Sequence, residues 1–165
     1  MDFLENIIFN LSLEDFINFK GVFPFVKGSF VILQTPNDEN ILEVQNSKEI
    51  YRIRYHKNGK RFTEHGLNSG KVDGDFWVWA PNGNLKKKGF YTNGKFNGIF
   101  TTYYESNGSK RSEGLYRNDD RTGIWTFWHE NGQKSSEGEF RNSSMFGTWT
   151  YWFANGDLDR RINWT

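Results

Sequence analysis

After residue 50, apolar and polar positions alternate with a period of two in short runs, the spacing of β-strands. In "GIWTFWHENG", Trp125, Phe127 and His129 fall on one side of an extended chain and Ile124, Thr126 and Trp128 on the other. The first set has counterparts in Phe76, Val78 and Ala80, in Phe100, Thr102 and Tyr104, and in Trp149, Tyr151 and Phe153. This side predicts the core face. The opposite side carries the ladder Trp79, Tyr103, Trp128 and Trp152, interleaved with Thr101, Thr126 and Thr150. Two roles suit such a ladder: rings that stack across neighbouring units to hold them together, or a surface left open for a partner.

The runs repeat. One series of Asn-Gly pairs begins at Asn58, Asn82, Asn107, Asn131 and Asn155, with spacings of 24, 25, 24 and 24. A second series, Gly74, Gly98, Gly123 and Gly147, keeps step, and a third, Gly66, Gly89, Gly114 and Gly138, lies between. A fixed period of this length means that one supersecondary unit is stacked several times. Asn-Gly suits a two-residue hairpin turn, so each pair predicts a strand reversing into the next. A Gly-x-aromatic step follows in "GFY", "GLY" and "GEF", then a second turn rich in Asn, Gly, Asp and Ser. The period assigns all three glycine series to turns. Each unit is two antiparallel strands, and about five units form an elongated, mainly β meander over 50–165. The end units are degenerate, with Ile50 and Arg52 at one end and Ile162 at the other replacing repeat residues.

Residues 1–49 lack the repeat and predict a small α+β cap. Ser12-Leu13-Glu14-Asp15 opens a short helix with Phe16, Ile17 and Phe19 on its apolar side. "GSFVILQT" and "NILEVQN" read as two strands divided by a turn at Pro36-Asn37-Asp38. This cap either covers the first edge of the array or lends partner specificity.

Composition agrees with β structure, since 18% of the residues are aromatic and 17 are glycine. Charge divides the chain. Residues 1–49 hold three basic residues against eight acidic ones, a net −5, whereas 50–165 hold eighteen against twelve, a net +6. The basic residues Lys60, Arg61, Lys86, Lys87, Lys88, Lys110, Arg111, Lys134, Arg160 and Arg161 each follow an Asn-Gly turn closely, which predicts a broken basic stripe. Such a stripe is either a solvated face that discourages edge pairing or a contact for an acidic protein or anionic lipid. Twelve acids in the same segment disfavour nucleic acid.

Chemistry-bearing motifs are sparse. There is no cysteine, which removes disulfides and thiolate metal sites and fits a reducing compartment. His56, His65 and His129 are not spaced as metal ligands. No nucleophile elbow or phosphate-binding loop occurs. The acidic N-terminus lacks a positively charged leader, and no apolar run is long enough to span a bilayer. The expectation is a cytoplasmic, non-enzymatic protein with no cofactor and no small-molecule substrate.

The unit "G-x-aromatic-x-x-aromatic-x-x-NG…G-x-aromatic" over 74–164 resembles the MORN-variant repeat, and similar bacterial proteins form the YwqK-type antitoxin family. The resemblance implies a twisted β-meander that neutralises a cognate toxin by binding it, and MORN arrays are also linked with membrane lipids and scaffolding. The expected partner-binding residues are Trp79, Tyr103, Trp128 and Trp152 with Lys86, Lys87, Lys88, Lys110, Arg111 and Lys134. A lipid contact would weaken steeply with salt, and an aromatic-centred protein complex much less.

Overall fold

The structure, a computed structural model, describes residues 31–34, 41–45, 50–56 and 58–165, with side chains from residue 50 onward. Among these residues thirteen strands form one sheet of antiparallel pairs, with no helix. They are β1 (Val31–Gln34), β2 (Ile41–Gln45), β3 (Ile50–Tyr55), β4 (Arg61–Asn68), β5 (Lys71–Trp79), β6 (Leu85–Thr92), β7 (Lys95–Phe96), β8 (Gly98–Tyr103), β9 (Lys110–Arg117), β10 (Asp120–Trp128), β11 (Lys134–Arg141), β12 (Ser144–Trp152) and β13 (Leu158–Trp164). Neighbours in sequence are neighbours in the sheet, except that the two-residue β7 pairs only with β6 and leaves β8 to continue the path. The sequence-predicted meander is therefore the fold. The two strands expected in the cap are β1 and β2, and β2 pairs with β3 in the same sheet. The helix expected from Ser12 lies outside the described residues.

The two-residue turn expected at the Asn-Gly end lies instead at the other end of the hairpins. At the Asn-Gly end, Ala80 N–H donates to Asn84 O and Gly83 N–H to Ala80 O, and only the glycine has positive φ. This is a three-residue loop with glycine in the left-handed region rather than a two-residue turn. The two-residue turns lie at the opposite end, where both central residues have positive φ: Ser69-Gly70, Asn93-Gly94, Asn118-Asp119 and Asn142-Ser143. Asn and Asp tolerate that conformation better than other non-glycine residues. The 25-residue spacing is absorbed between Tyr104 and Ser109, where Gly108 N–H reaches back four residues to Tyr104 O.

The predicted core face is buried, with Val78, Ala80, Phe100, Trp125 and Trp149 each below a tenth exposed. Phe153, at the end of that set, is instead 54% exposed. Glycines make this packing possible. Phe76 faces Gly89, Phe100 faces Gly114 and Trp125 faces Gly138, while Tyr91, Tyr116 and Phe140 face Gly74, Gly98 and Gly123. A Cβ on Gly138 would lie 2.3 Å from the Trp149 ring, and one on Gly114 would lie 2.2 Å from Trp125. Gly89, Gly114 and Gly138 are thus spacers under rings and not turn residues, since none has positive φ. Gly66 is out of register with them: His65, opposite Phe76, holds the equivalent position. Ring meets ring edge-on along the face, as Tyr116 does Trp125 at 5.2 Å and Phe140 does Trp149 at 5.0 Å.

Candidate functional site: the ladder face

The ladder residues Trp79, Tyr103, Trp128 and Trp152 end strands β5, β8, β10 and β12 on one side of the sheet and are all half-buried. They do not stack ring on ring. Strands of intervening hairpin arms separate them, and cations fill the gaps: the Arg61 guanidinium lies 5.5 Å from the Trp79 ring centre, Lys110 Nζ 5.6 Å from Trp128 and Lys134 Nζ 5.8 Å from Trp152.

The same cations are clasped by carboxylates. Lys110 Nζ is 2.9 Å from Glu113 Oε2, which also accepts from Thr101 Oγ1 at 3.1 Å. Lys134 Nζ is 2.7 Å from Glu137 Oε2, which also accepts from Thr126 Oγ1 at 2.9 Å. The Lys134 hydrogen bond, helped by Thr126, holds the Glu137 carboxyl below the usual range. For Glu113, partial burial pushes upward, but Lys110, Thr101 and the charge of Lys88 outweigh it and the net direction is down. Glu64 goes the other way, because its burial outweighs the opposing Arg61 pair at 2.8 Å.

Cross-strand register explains the clasp. Lys88, Thr101, Glu113, Thr126, Glu137, Thr150 and Arg161 are successive partners in one row across the face. The expected basic stripe is consequently divided. Lys86 reaches Glu105 Oε1 at 2.5 Å, Lys110 and Lys134 are clasped, and Arg111 lies over the Tyr104 ring at 5.9 Å. Lys87 faces Val78 and Thr102 while Lys88 faces Trp77 and Thr101, so strand alternation sends them to opposite faces. Among the described residues neither makes an ion pair.

Sequence reasoning missed an apolar row on this face. Phe90 is 43% exposed, Ile99 64%, Leu115 38% and Ile124 60%, and the four lie on consecutive positions of the sheet path, β6, β8, β9 and β10. Ile99 faces Leu115, and Ile124 alternates with Thr126, the partner of Glu113. The row stops at Asp75, opposite Phe90, and at Glu139, opposite Ile124. The signal was available in "GFY", "GIF", "GLY" and "GIW", where an apolar residue directly follows each glycine.

The turn asparagines tie one repeat to the next. The Nδ2 groups of Asn58, Asn82, Asn107 and Asn131 donate to the carbonyls of Pro81, Glu105, Glu130 and Ala154 at 2.6–2.8 Å. His56 Nε2 and His129 Nε2 lie 2.9 and 2.8 Å from the carbonyls of Trp79 and Trp152, which gives both histidines a bracing role. Among the described residues no group of His, Asp and Glu is placed to hold a metal ion, and no helix is long and apolar enough to cross a membrane.

Residues 73–93 and 121–142 match the MORN repeat variant family. These segments are MORN-variant repeats. The same register, glycine–ring pairs and asparagine ties recur along the sheet beyond the two matched segments. No curated protein matches the chain. Similar solved structures include a S. aureus TarM mutant in complex with Fondaparinux, alpha-GlcNAc-glycerol and UDP, at 13% identity over 73% of this chain and 26% of that chain, TM-score 0.36. Accessory secretory protein 1, 2 and 3 of Streptococcus pneumoniae give 14% identity, 74% and 24% coverage and a TM-score of 0.38. A GtfA/B complex bound to UDP and GlcNAc gives 15%, 86%, 26% and 0.24. The chain spans about a quarter of the length of each, and at these scores neither fold nor function passes from them to this chain.

Proposed function

We propose that the chain is a non-catalytic protein-binding module, and more finely an antitoxin or immunity protein that neutralises a cognate toxin by covering it. The observation that carries the binding reading is the exposed apolar row of Phe90, Ile99, Leu115 and Ile124 beside the half-buried aromatic ladder on one face. Apolar side chains gathered in a row, with polar neighbours around them, mark a contact surface more than scattered ones do. Clasped cations lie over the Trp79, Trp128 and Trp152 rings and restrain them, so these three lose little side-chain entropy on docking. The resemblance of the repeats to toxin-neutralising arrays supports the finer reading.

Anionic lipid suits this face less well, because Lys86, Lys110 and Lys134 are already engaged by Glu105, Glu113 and Glu137. Those carboxylates lie on an open face and are committed to ion pairs, an arrangement that supports structure more than acid–base chemistry.

Affinity capture with the purified chain tests the proposal. We expect one stoichiometric protein that stays bound at high salt and whose expression arrests growth unless the chain is co-expressed. Capture of a partner without growth arrest would remove the antitoxin reading and leave the module. Sedimentation with anionic vesicles at low salt, with no protein captured at any salt, would overturn both.

A further inference from the structure

Beside the apolar row, the sheet carries a groove of about 500 Å³ whose lining includes Tyr51, Leu67, Trp77, Phe90, Asp73 and Asp75. Phe90 belongs to both groove and row. Asp73 Oδ2 accepts the Asn93 N–H at 2.7 Å, whereas the exposed Asp75 carboxylate has no ion pair among the described residues. Lys88 faces Trp77 across the strand pair, but it does not line the groove and its charge acts on Glu113. Aromatic faces beside two carboxylates form an environment that attracts a cation twice, through ring quadrupoles and through Coulomb attraction.

We propose that this groove takes an arginine or lysine side chain from an extended apolar segment of a partner protein, with that segment running on along Ile99, Leu115 and Ile124. Arginine suits the groove better, because its planar guanidinium stacks on rings and bonds a carboxylate at the same time. Dimensions fit an extended segment. Four strands of the sheet path span three gaps of about 4.8 Å, roughly 14 Å in all, and residues i, i+2 and i+4 of an extended chain cover about the same distance. A second copy of this chain fits less well: four partly exposed side chains present a few hundred Å², short of the roughly 800 Å² per partner of a stable dimer. The inference rests on the protein-binding reading and adds the chemistry of the bound segment.

Random short peptides displayed on phage, panned against the folded full chain, test it. The comparison baits are Asp75→Asn and the double variant Ile99→Ser/Ile124→Ser, each checked for native circular dichroism. Both changes lie at exposed positions. The wild type is expected to enrich peptides with an arginine or lysine beside alternating Ile, Leu, Val or Phe. Asp75→Asn should erase the preference for the basic residue, and the serine pair should cut recovery about tenfold or more. Peptides without basic residues, recovery unchanged on both variants, or no enrichment over a blank support would overturn it. Zwitterionic vesicles that sediment the wild type but not the serine pair would assign the row to a membrane and equally sink it. A captured protein partner that binds wild type and both variants alike would leave the module reading standing and remove this docking track.

Discussion

Asn131 bridges two repeats with one side chain: its Nδ2 donates to Ala154 O at 2.6 Å while its Oδ1 accepts the Gln133 N–H at 3.1 Å. Asn155 holds the same place one repeat later, but its Nδ2 turns to Asp157 Oδ2 of its own loop. Asn131→Ala should therefore cost about 1–2 kcal/mol and Asn155→Ala about half as much, measured by urea unfolding. Equal losses would show that only the turn bond matters.

Gly138 and Gly147 separate two causes of glycine dependence. At Gly138 the φ is ordinary and the space is filled by Trp149, so Gly138→Ala should cost about 3 kcal/mol or more through overpacking. At Gly147 a Cβ meets nothing within 4 Å but φ is +65°, so Gly147→Ala should cost only about 1 kcal/mol through backbone strain. Thermal melts of the two variants would rank them directly.

In the turn at Asn142-Ser143, Asn142 has φ of 47°. Asn142→Gly should stay within about 0.5 kcal/mol of the wild type, while Asn142→Val should lose about 1–2 kcal/mol, because a branched Cβ resists positive φ. Matched denaturation curves would check this.

The Glu137 carboxyl is held below its ordinary value of 4.5, so its ionised form is stabilised by the fold. That contribution is fully present above about pH 4.5 and disappears as pH falls through the lowered value. Glu137→Gln should lower the melting temperature at neutral pH, and the gap from wild type should close on acidification. A gap independent of pH would rule out the Lys134 clasp as its source.

The period, the hairpins and the core face could be read from the chain because each rests on a local pattern repeated several times. The turn types could not: glycine after asparagine serves a two-residue turn and a three-residue loop equally well, and only the ladder hydrogen bonds distinguish them. Gly66 misled the alignment because it neighbours His65, which holds the position of the spacer glycines. The clasp of Lys134, Glu137 and Thr126 and the row of Phe90, Ile99, Leu115 and Ile124 depend on which strands meet after each bulge. A single strand does not encode that meeting. Lys-x-x-Glu at 110–113 and 134–137 was the visible trace of the clasp, as the apolar residue after each glycine was of the row.

The loop between Tyr104 and Ser109 holds one residue more than its counterparts, yet Tyr103 still faces Lys110 as Trp128 faces Lys134. Length can thus vary at this hem of the sheet without turning any side chain to the wrong face, whereas one added residue inside a strand would invert all that follow. The array therefore has a permissive border and a strict interior, and the Asn-Gly loops are where new sequence could be grafted while the face beside them stays intact.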